Sequence, residues 1–286
     1  MKKILYLCCL EQLRRMDYTL NCNGRLLSLD TPQVMGILNA TPDSFYADSR
    51  QTTEEGIVRR THQILDEGGT MIDVGACSTR PGSEPVSEAE EMQRLRFALP
   101  IVRREAPDAI ISVDTFRPVV ARMSVEEFGA SIINDVEGCK DMFRMVSRLR
   151  VPYIYMSSKP TIREVLLDCA EAVDALRSMG QKDIILDPGF GFGKTPEERS
   201  AQGDACLDKN YAVMQQLERM QTLQLPVLVG VSRKSMIWKL LQTSPDEALN
   251  GTTVLNTLAL TKGASILRVH DVRQAVETVK IVNCKL

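Results

Sequence analysis

A single parallel (β/α)8 barrel is the architecture that three features of this 286-residue sequence predict. Short Val/Ile/Leu-rich runs recur through nearly the whole chain, apolar on both faces as parallel strands buried under helices must be. Each run ends in a polar or charged residue, and the segments between runs carry helix-start signals. Asn and Asp are poor strand formers, so their placement at the ends of apolar runs reads as groups facing one shared mouth, at the C-terminal ends of the strands of a TIM barrel.

Taken in order, the expected strands are Val34 to Leu38, Met71 to Gly75, Ile110 to Asp114, Ser131 to Asn134, Tyr153 to Met156, Ile184 to Asp187, Val227 to Val231 and Ser265 to Val269. The helices between them announce themselves by chemistry. Ser87 with Glu90, Thr195 with Glu198 and Ser244 with Glu247 have capping-box spacing. Pro118, Pro196 and Pro245 sit where a first helical turn has no use for an amide proton. A helix of small and apolar residues is expected over Gly251 to Lys262, packed in the barrel wall or between subunits. A doubly wound sheet uses the same βαβ units, but it would concentrate its binding groups at one switch point and usually shows a glycine fingerprint after its first strand. No GxGxxG occurs, and nearly every strand ends in a polar group.

Composition narrows the function. With 44% hydrophobic and 25% charged residues the chain can bury a large core. A formal net charge of -2 gives no long-range attraction for nucleic acid or anionic lipid, so any anion site must be local. Eight scattered cysteines without a CxxC pair favour reduced, mostly buried thiols in a cytoplasmic protein, and two histidines exclude an HExxH centre. MKKILYLCCL imitates a signal peptide, but its apolar part stops at Glu11 and no small-residue cleavage site follows. Residues 1–16 therefore read as a disordered extension or an upstream start, with a lipoprotein-type signal as second choice, and residues 17–286 as the barrel. GFGFGKT resembles a phosphate loop, yet the first glycine of GxxxxGK[ST] would fall at Pro188.

Five segments in order, MGILNATPDSF, STRPGS, DPGFGFGK, VGVSRKSM and RVHDV, give the chain from Thr31 to Val276 a sequence that resembles the dihydropteroate synthase family. That resemblance implies a folate-pathway transferase, which couples 6-hydroxymethyl-7,8-dihydropterin pyrophosphate to p-aminobenzoate, and a homodimer using Mg2+. The residues support it chemically. A pterin edge mixes N–H donors with a carbonyl acceptor, and Asp114, Asn134 and Asp187 at three strand ends supply acceptors and donors while Lys234 supplies a cationic donor. Arg268 and His270, beside Asp271 as the cap of the last helix, form the expected anion site for the departing pyrophosphate.

The resemblance further implies that Thr79 contacts this anion, that Asn39 holds the Mg2+, that Met156 packs on the pterin, and that Arg80, Pro81, Phe190 and Ser235 form the p-aminobenzoate site. Catalysis is assigned to Asn39, Asp114, Lys234, Arg268 and His270. Asp73, inside its strand, is read as orienting a loop or a pocket partner. The sequence departs from the family at DSFYADSR, where the metal-assisting aspartate either corresponds to Asp48 by a one-residue shift or is unfilled, at GACSTRPG, and at YMSSKP, which lacks a neighbouring histidine. Cys77, near Arg80, has two readings, a thiol with raised thiolate content or a buried inert one, and His62 is expected to be solvated. Competing readings are a pterin-binding methyltransferase serving a corrinoid partner, for which STRPGS and RVHD have little use, and a non-catalytic pterin-binding paralogue, supported only by the altered first loop.

Overall fold

The computed structural model describes residues 18–40, 54–77, 86–192 and 205–284, without side-chain placement for 205–208. Its chain order is β1 (Thr19–Cys22), β2 (Arg25–Ser28), β3 (Gln33–Asn39), α1 (Glu54–Asp66), β4 (Met71–Gly75), α2 (Glu88–Glu105), β5 (Ile110–Asp114), α3 (Pro118–Glu126), β6 (Ile132–Asp135), α4 (Lys140–Leu149), β7 (Tyr153–Met156) and α5 (Ile162–Ser178). β8 (Ile184–Asp187), α6 (Ala205–Gln215), a 3-10 turn (Leu217–Leu223), β9 (Leu228–Val229), α7 (Ser235–Leu240), α8 (Leu249–Thr261), β10 (Ile266–Val269) and α9 (Val272–Val282) complete it.

Eight strands form one parallel sheet in the order β8-β7-β6-β5-β4-β3-β10-β9, and a parallel bridge between Leu186 and Val227 closes β8 onto the β9 segment. The expected barrel is therefore present, with every expected strand in place. β6 begins and ends one residue later than expected, and β9 is cut to two residues, paired only with Ile266 and Leu267.

Alternation splits the core into two layers. Outward residues such as Leu38, Ile72, Val113 and Ile133 pack under the helices in one large cluster. Inward residues Met35, Met71, Ile110, Ile132, Ile154, Ile185, Leu228 and Ile266 fill the lower lumen. Higher along the same strands the inward positions turn polar, at Asp73 level with Ser112, and at Asp114, Asn134, Asp187 and Arg268. The apolar plug makes the bottom rigid and leaves the upper end to chemistry.

The sequence reading placed no strands before residue 33, but β1 and β2 form an antiparallel hairpin whose Leu20, Cys22 and Leu29 close the bottom of that plug. Its signal was the pair Asn23-Gly24. Both take left-handed backbone (φ 55° and 88°), as a two-residue hairpin turn requires.

Of the capping signals, Ser87 accepts from the Glu90 amide and Pro118 opens α3, as expected. The Thr195–Glu198 pair with Pro196 lies outside the described residues. Ser244 and Pro245 do not start a helix. The Pro245 and Asp246 carbonyls accept from Arg233 Nη1 at 3.0 and 2.7 Å, which holds the segment as a turn, and α8 starts at Leu249.

The expectation of mostly buried thiols holds for Cys22 and Cys169, whereas Cys139 and Cys284 are exposed and Cys77 is half-buried. His62 is not merely solvated: its Nε2 lies 3.0 Å from Glu105. No described helix is long and apolar enough to cross a membrane.

Candidate active site

Strand register brings the polar strand ends together. Asn39 pairs in register with Gly75, Gly75 with Asp114, Asp114 with Asn134, and Met156 with Asp187. A Cβ built at Gly75 would lie 3.8 Å from Asp114 Oδ2 and 3.9 Å from Asn39 Oδ1, so both side-chain oxygens border the space above Gly75. Residues 1–17, Asp48, Thr79, Arg80 and Pro81 lie outside the described residues.

Arg268 does not stand apart as an anion binder. It reaches into the lumen, where its Nε donates to Asp73 Oδ2 and its Nη2 to Asp114 Oδ2, both at 2.6 Å. Asn134 Nδ2 donates to the same Asp73 oxygen at 3.2 Å. Asp73, fully buried, is thus the hub of the β4 side. The sequence left its role open, and only the strand register shows that Arg268 and Asn134 converge on it. Burial raises the Asp114 carboxyl to about 7 against the pull of Arg268, with the nearby Asp73 carboxylate adding to the rise. Burial also works against the Arg268 charge, but Asp73 and Asp114 outweigh it and hold the guanidinium protonated.

On the other side, Asp187 is nearly buried and accepts a hydrogen bond from the Gly189 amide at 2.8 Å. Burial raises its pKa, opposed by the charge of Lys234. Lys234 donates to the Phe190 carbonyl and lies over the Phe192 ring, 4.5 Å from its centroid. Burial lowers the ammonium to about 8, against the opposing pull of Asp187. Among the described residues neither group has an ion-pair partner. Two buried, shifted charges that offset each other only in part, at the C-terminal end of the barrel, mark a ligand site.

Phe190 and Phe192 have different surroundings. The Phe190 side chain is 1% exposed and belongs to the outer hydrophobic cluster, whereas half-buried Phe192 carries the Lys234 contact. In GFGFG the two rings alternate, so one turns to the core and the other to Lys234; the choice between them was not written in the motif. Met156 is buried at the end of β7, and half-buried Ser235 opens α7 beside Lys234.

His270 is built into the wall of the mouth. Its amide donates to Ser232 Oγ and its Nδ1 lies 3.1 Å from the same oxygen. Arg60, missed by the sequence reading, spans from the Ile37 carbonyl (3.0 Å) to the His270 carbonyl (2.7 Å) and fixes that loop to β3. Asp271 stands at the start of α9, but it makes no side-chain cap. Arg233 takes its carboxylate in a two-point pair at 2.8 and 2.9 Å, so Asp271 holds the N-cap position while its side chain serves as a structural clamp.

For Cys77 the structure favours the inert thiol. Burial and the neighbouring Glu91 carboxylate raise its thiol to about 11, and the Arg117 guanidinium at 3.4 Å does not reverse this. It is a poor nucleophile at neutral pH.

The comparisons agree with this geometry. A model of the family described as pterin binding enzyme matches residues 35–270. A dihydropteroate synthase of Bacillus subtilis is 38% identical over 266 residues, covering 88% of each chain. The Escherichia coli dihydropteroate synthase is 36% identical over 282 residues, covering 92% of this chain and 95% of its own. The structure of Xanthomonas albilineans dihydropteroate synthase with 4-aminobenzoic acid superposes with a TM-score of 0.82 at 35% identity, covering 93% of this chain and 97% of that one. A closed parallel barrel with buried, shifted carboxylates and a lysine at its strand ends, matched along nearly its full length by these proteins, belongs to the pterin-binding enzyme family as a dihydropteroate synthase.

Proposed function

We propose that the mouth of this barrel performs the family's transfer with the following division of labour. Asp114, Asn134 and Asp187 hold the N–H edge of 6-hydroxymethyl-7,8-dihydropterin pyrophosphate, Lys234 donates to its acceptor edge, and Met156 packs on the ring. Charge-assisted hydrogen bonds of this kind contribute about 1.5 to 3 kcal/mol each. Arg268, His270 and Thr79 receive the pyrophosphate. The observation that carries this reading is the Asp187–Lys234 side, where buried charge is left without an ion pair among the described residues and so is available to a ligand.

In the reaction, the C–O bond between the pterin methylene and the diphosphate breaks with its electron pair going to the leaving group. The p-aminobenzoate amine forms the new C–N bond and then loses a proton to solvent or to the released pyrophosphate. The aniline nitrogen is neutral near pH 7, so no strong base is required. Ser235, Arg80 and Pro81 are proposed to hold p-aminobenzoate, with Phe192 taking the place first given to Phe190, because its ring carries the Lys234 contact.

Among the described residues no three His, Cys, Asp or Glu side chains are grouped to hold a metal. The donor set still fits Mg2+, which commonly takes one or two protein oxygens and completes its shell with water and substrate phosphates. Asn39 would hold it, and the ion would supply charge neutralisation to the leaving pyrophosphate. The protein is further read as cytoplasmic and homodimeric; the exposed Val254 and Leu258 of α8 support a subunit contact. Incubating the protein with pterin pyrophosphate, p-aminobenzoate and Mg2+ should yield dihydropteroate and free pyrophosphate. Pterin binding without product would defeat the catalytic assignment.

A further inference from the structure

Asp73 lies one layer below the ligand-facing strand ends, fully buried, on β4 between two partners that are each two strands away around the barrel, Arg268 on β10 and Asn134 on β6. Only one of its oxygens is used. Oδ2 accepts from Arg268 Nε at 2.6 Å and from Asn134 Nδ2 at 3.2 Å, while Oδ1 is buried without a hydrogen-bond partner among the described residues.

A carboxylate that is paired with a guanidinium is ionised and can only accept. Asn134 must therefore turn its NH2 group toward Asp73, and its carbonyl oxygen is left for the mouth. An asparagine amide is otherwise free to present either end, and buried amide orientation is decided by such partners.

We infer that Asp73 is a positioning residue that sets substrate specificity: it fixes the Asn134 amide so that Oδ1 faces the ligand, and it directs the Arg268 guanidinium at the same time. This rests on the proposed pterin pocket. With Asp114 and Asp187, the fixed Asn134 oxygen makes one wall of the mouth a row of acceptors. Such a wall selects a heterocycle with an amino group over one with a carbonyl at the same position, because an opposed pair of acceptors leaves both buried and unpaired.

The test uses calorimetric binding of 6-hydroxymethylpterin and of 6-hydroxymethyl-lumazine, which has a carbonyl in place of the 2-amino group. Wild-type protein should prefer the pterin by at least tenfold. Asp73→Asn keeps the size of the side chain but offers both a donor and an acceptor, so the Asn134 amide can turn over and the preference should fall by about tenfold. A side chain that only supported the fold would lower both affinities together and leave their ratio unchanged, and that result in a folded Asp73→Asn protein overturns the inference. Exchanging the two groups, Asp73→Asn with Asn134→Asp, restores an acceptor to the mouth and a donor behind it. The exchanged protein should regain the pterin preference. If it folds and stays unselective, the inference fails even where Asp73→Asn alone does not fold. Wild-type protein that binds neither compound overturns the pocket reading itself, whereas wild-type preference with an indifferent Asp73→Asn overturns only the role of Asp73.

Discussion

The two sides of the barrel mouth handle buried charge in opposite ways. On the β4–β5–β10 side, Arg268 lies 2.6 Å from both Asp73 and Asp114, so one cation is paired with two carboxylates before any ligand arrives. On the β8–β9 side, Asp187 and Lys234 have hydrogen bonds to backbone but no ion-pair partner among the described residues, and burial shifts each toward its neutral form. The first side is built to keep its shape. The second is built to gain from binding, because the desolvation cost of its charges is already present in the free protein and a ligand can offset it.

The largest expected effect comes from breaking the paired side. Arg268→Met strands two carboxylates in the lumen and should destabilise the free protein by about 3 to 5 kcal/mol, measured by urea unfolding. A loss below about 1 kcal/mol would mean that the side is not held by this network. The sequence reading expected only weaker anion binding from this change, since it could not see the two aspartates.

On the unpaired side the same kind of change should spare the fold. Asp187→Asn retains an acceptor for the Gly189 amide and removes a charge that burial disfavours. The free protein should melt at the same temperature or higher, while 6-hydroxymethylpterin binds about 10- to 150-fold more weakly. A melting point lowered by many degrees would place Asp187 with the structural network instead.

The smallest and most graded test is pH. The folded pKa of Asp114, about 7, is raised above its ordinary value of 3.8, so its stabilising contribution is full below 3.8 and is lost as pH rises through 7. Lys234 is the reverse case, lowered from 10.5 to about 8; its contribution is full above 10.5 and is lost as pH falls through 8. Between these limits the free protein bears both charges, and pterin affinity, which uses both, should peak there and fall by about tenfold per pH unit on either side. Lys234→Arg should move the alkaline limb to higher pH and leave the acid limb in place. An affinity flat from pH 6 to 9 would show that neither group titrates on binding.

Much of this molecule was legible in the chain. The short strands apolar on both faces, Pro118 and the Ser87 cap stand where local chemistry put them, because apolar runs and helix capping act over a few residues. Ser244 Oγ does accept from the Glu247 amide at 3.4 Å, as the cap spacing implies, but no helix starts there, because Arg233, whose own partner Asp271 lies 38 residues away from it, holds the Pro245 and Asp246 carbonyls. The hairpin at Asn23-Gly24 carried a readable turn signal, but its reason for existing, to close the lumen on Met35 and Met71, is set by residues far along the chain.

The sequence by itself determined the barrel, the set of polar residues at its strand ends and the family, since each of these is written in short motifs whose order is enough. Tertiary structure alone decided which of those residues are already paired. Asp73 and Arg268 are 195 residues apart, and only parallel register around a closed sheet brings them within hydrogen-bond reach. It also decided that Phe192 and not Phe190 carries the Lys234 contact, and that Cys77 is a thiol and not a thiolate. Charge state and side-chain direction depend on burial and on neighbours in space, and a linear order of residues contains neither.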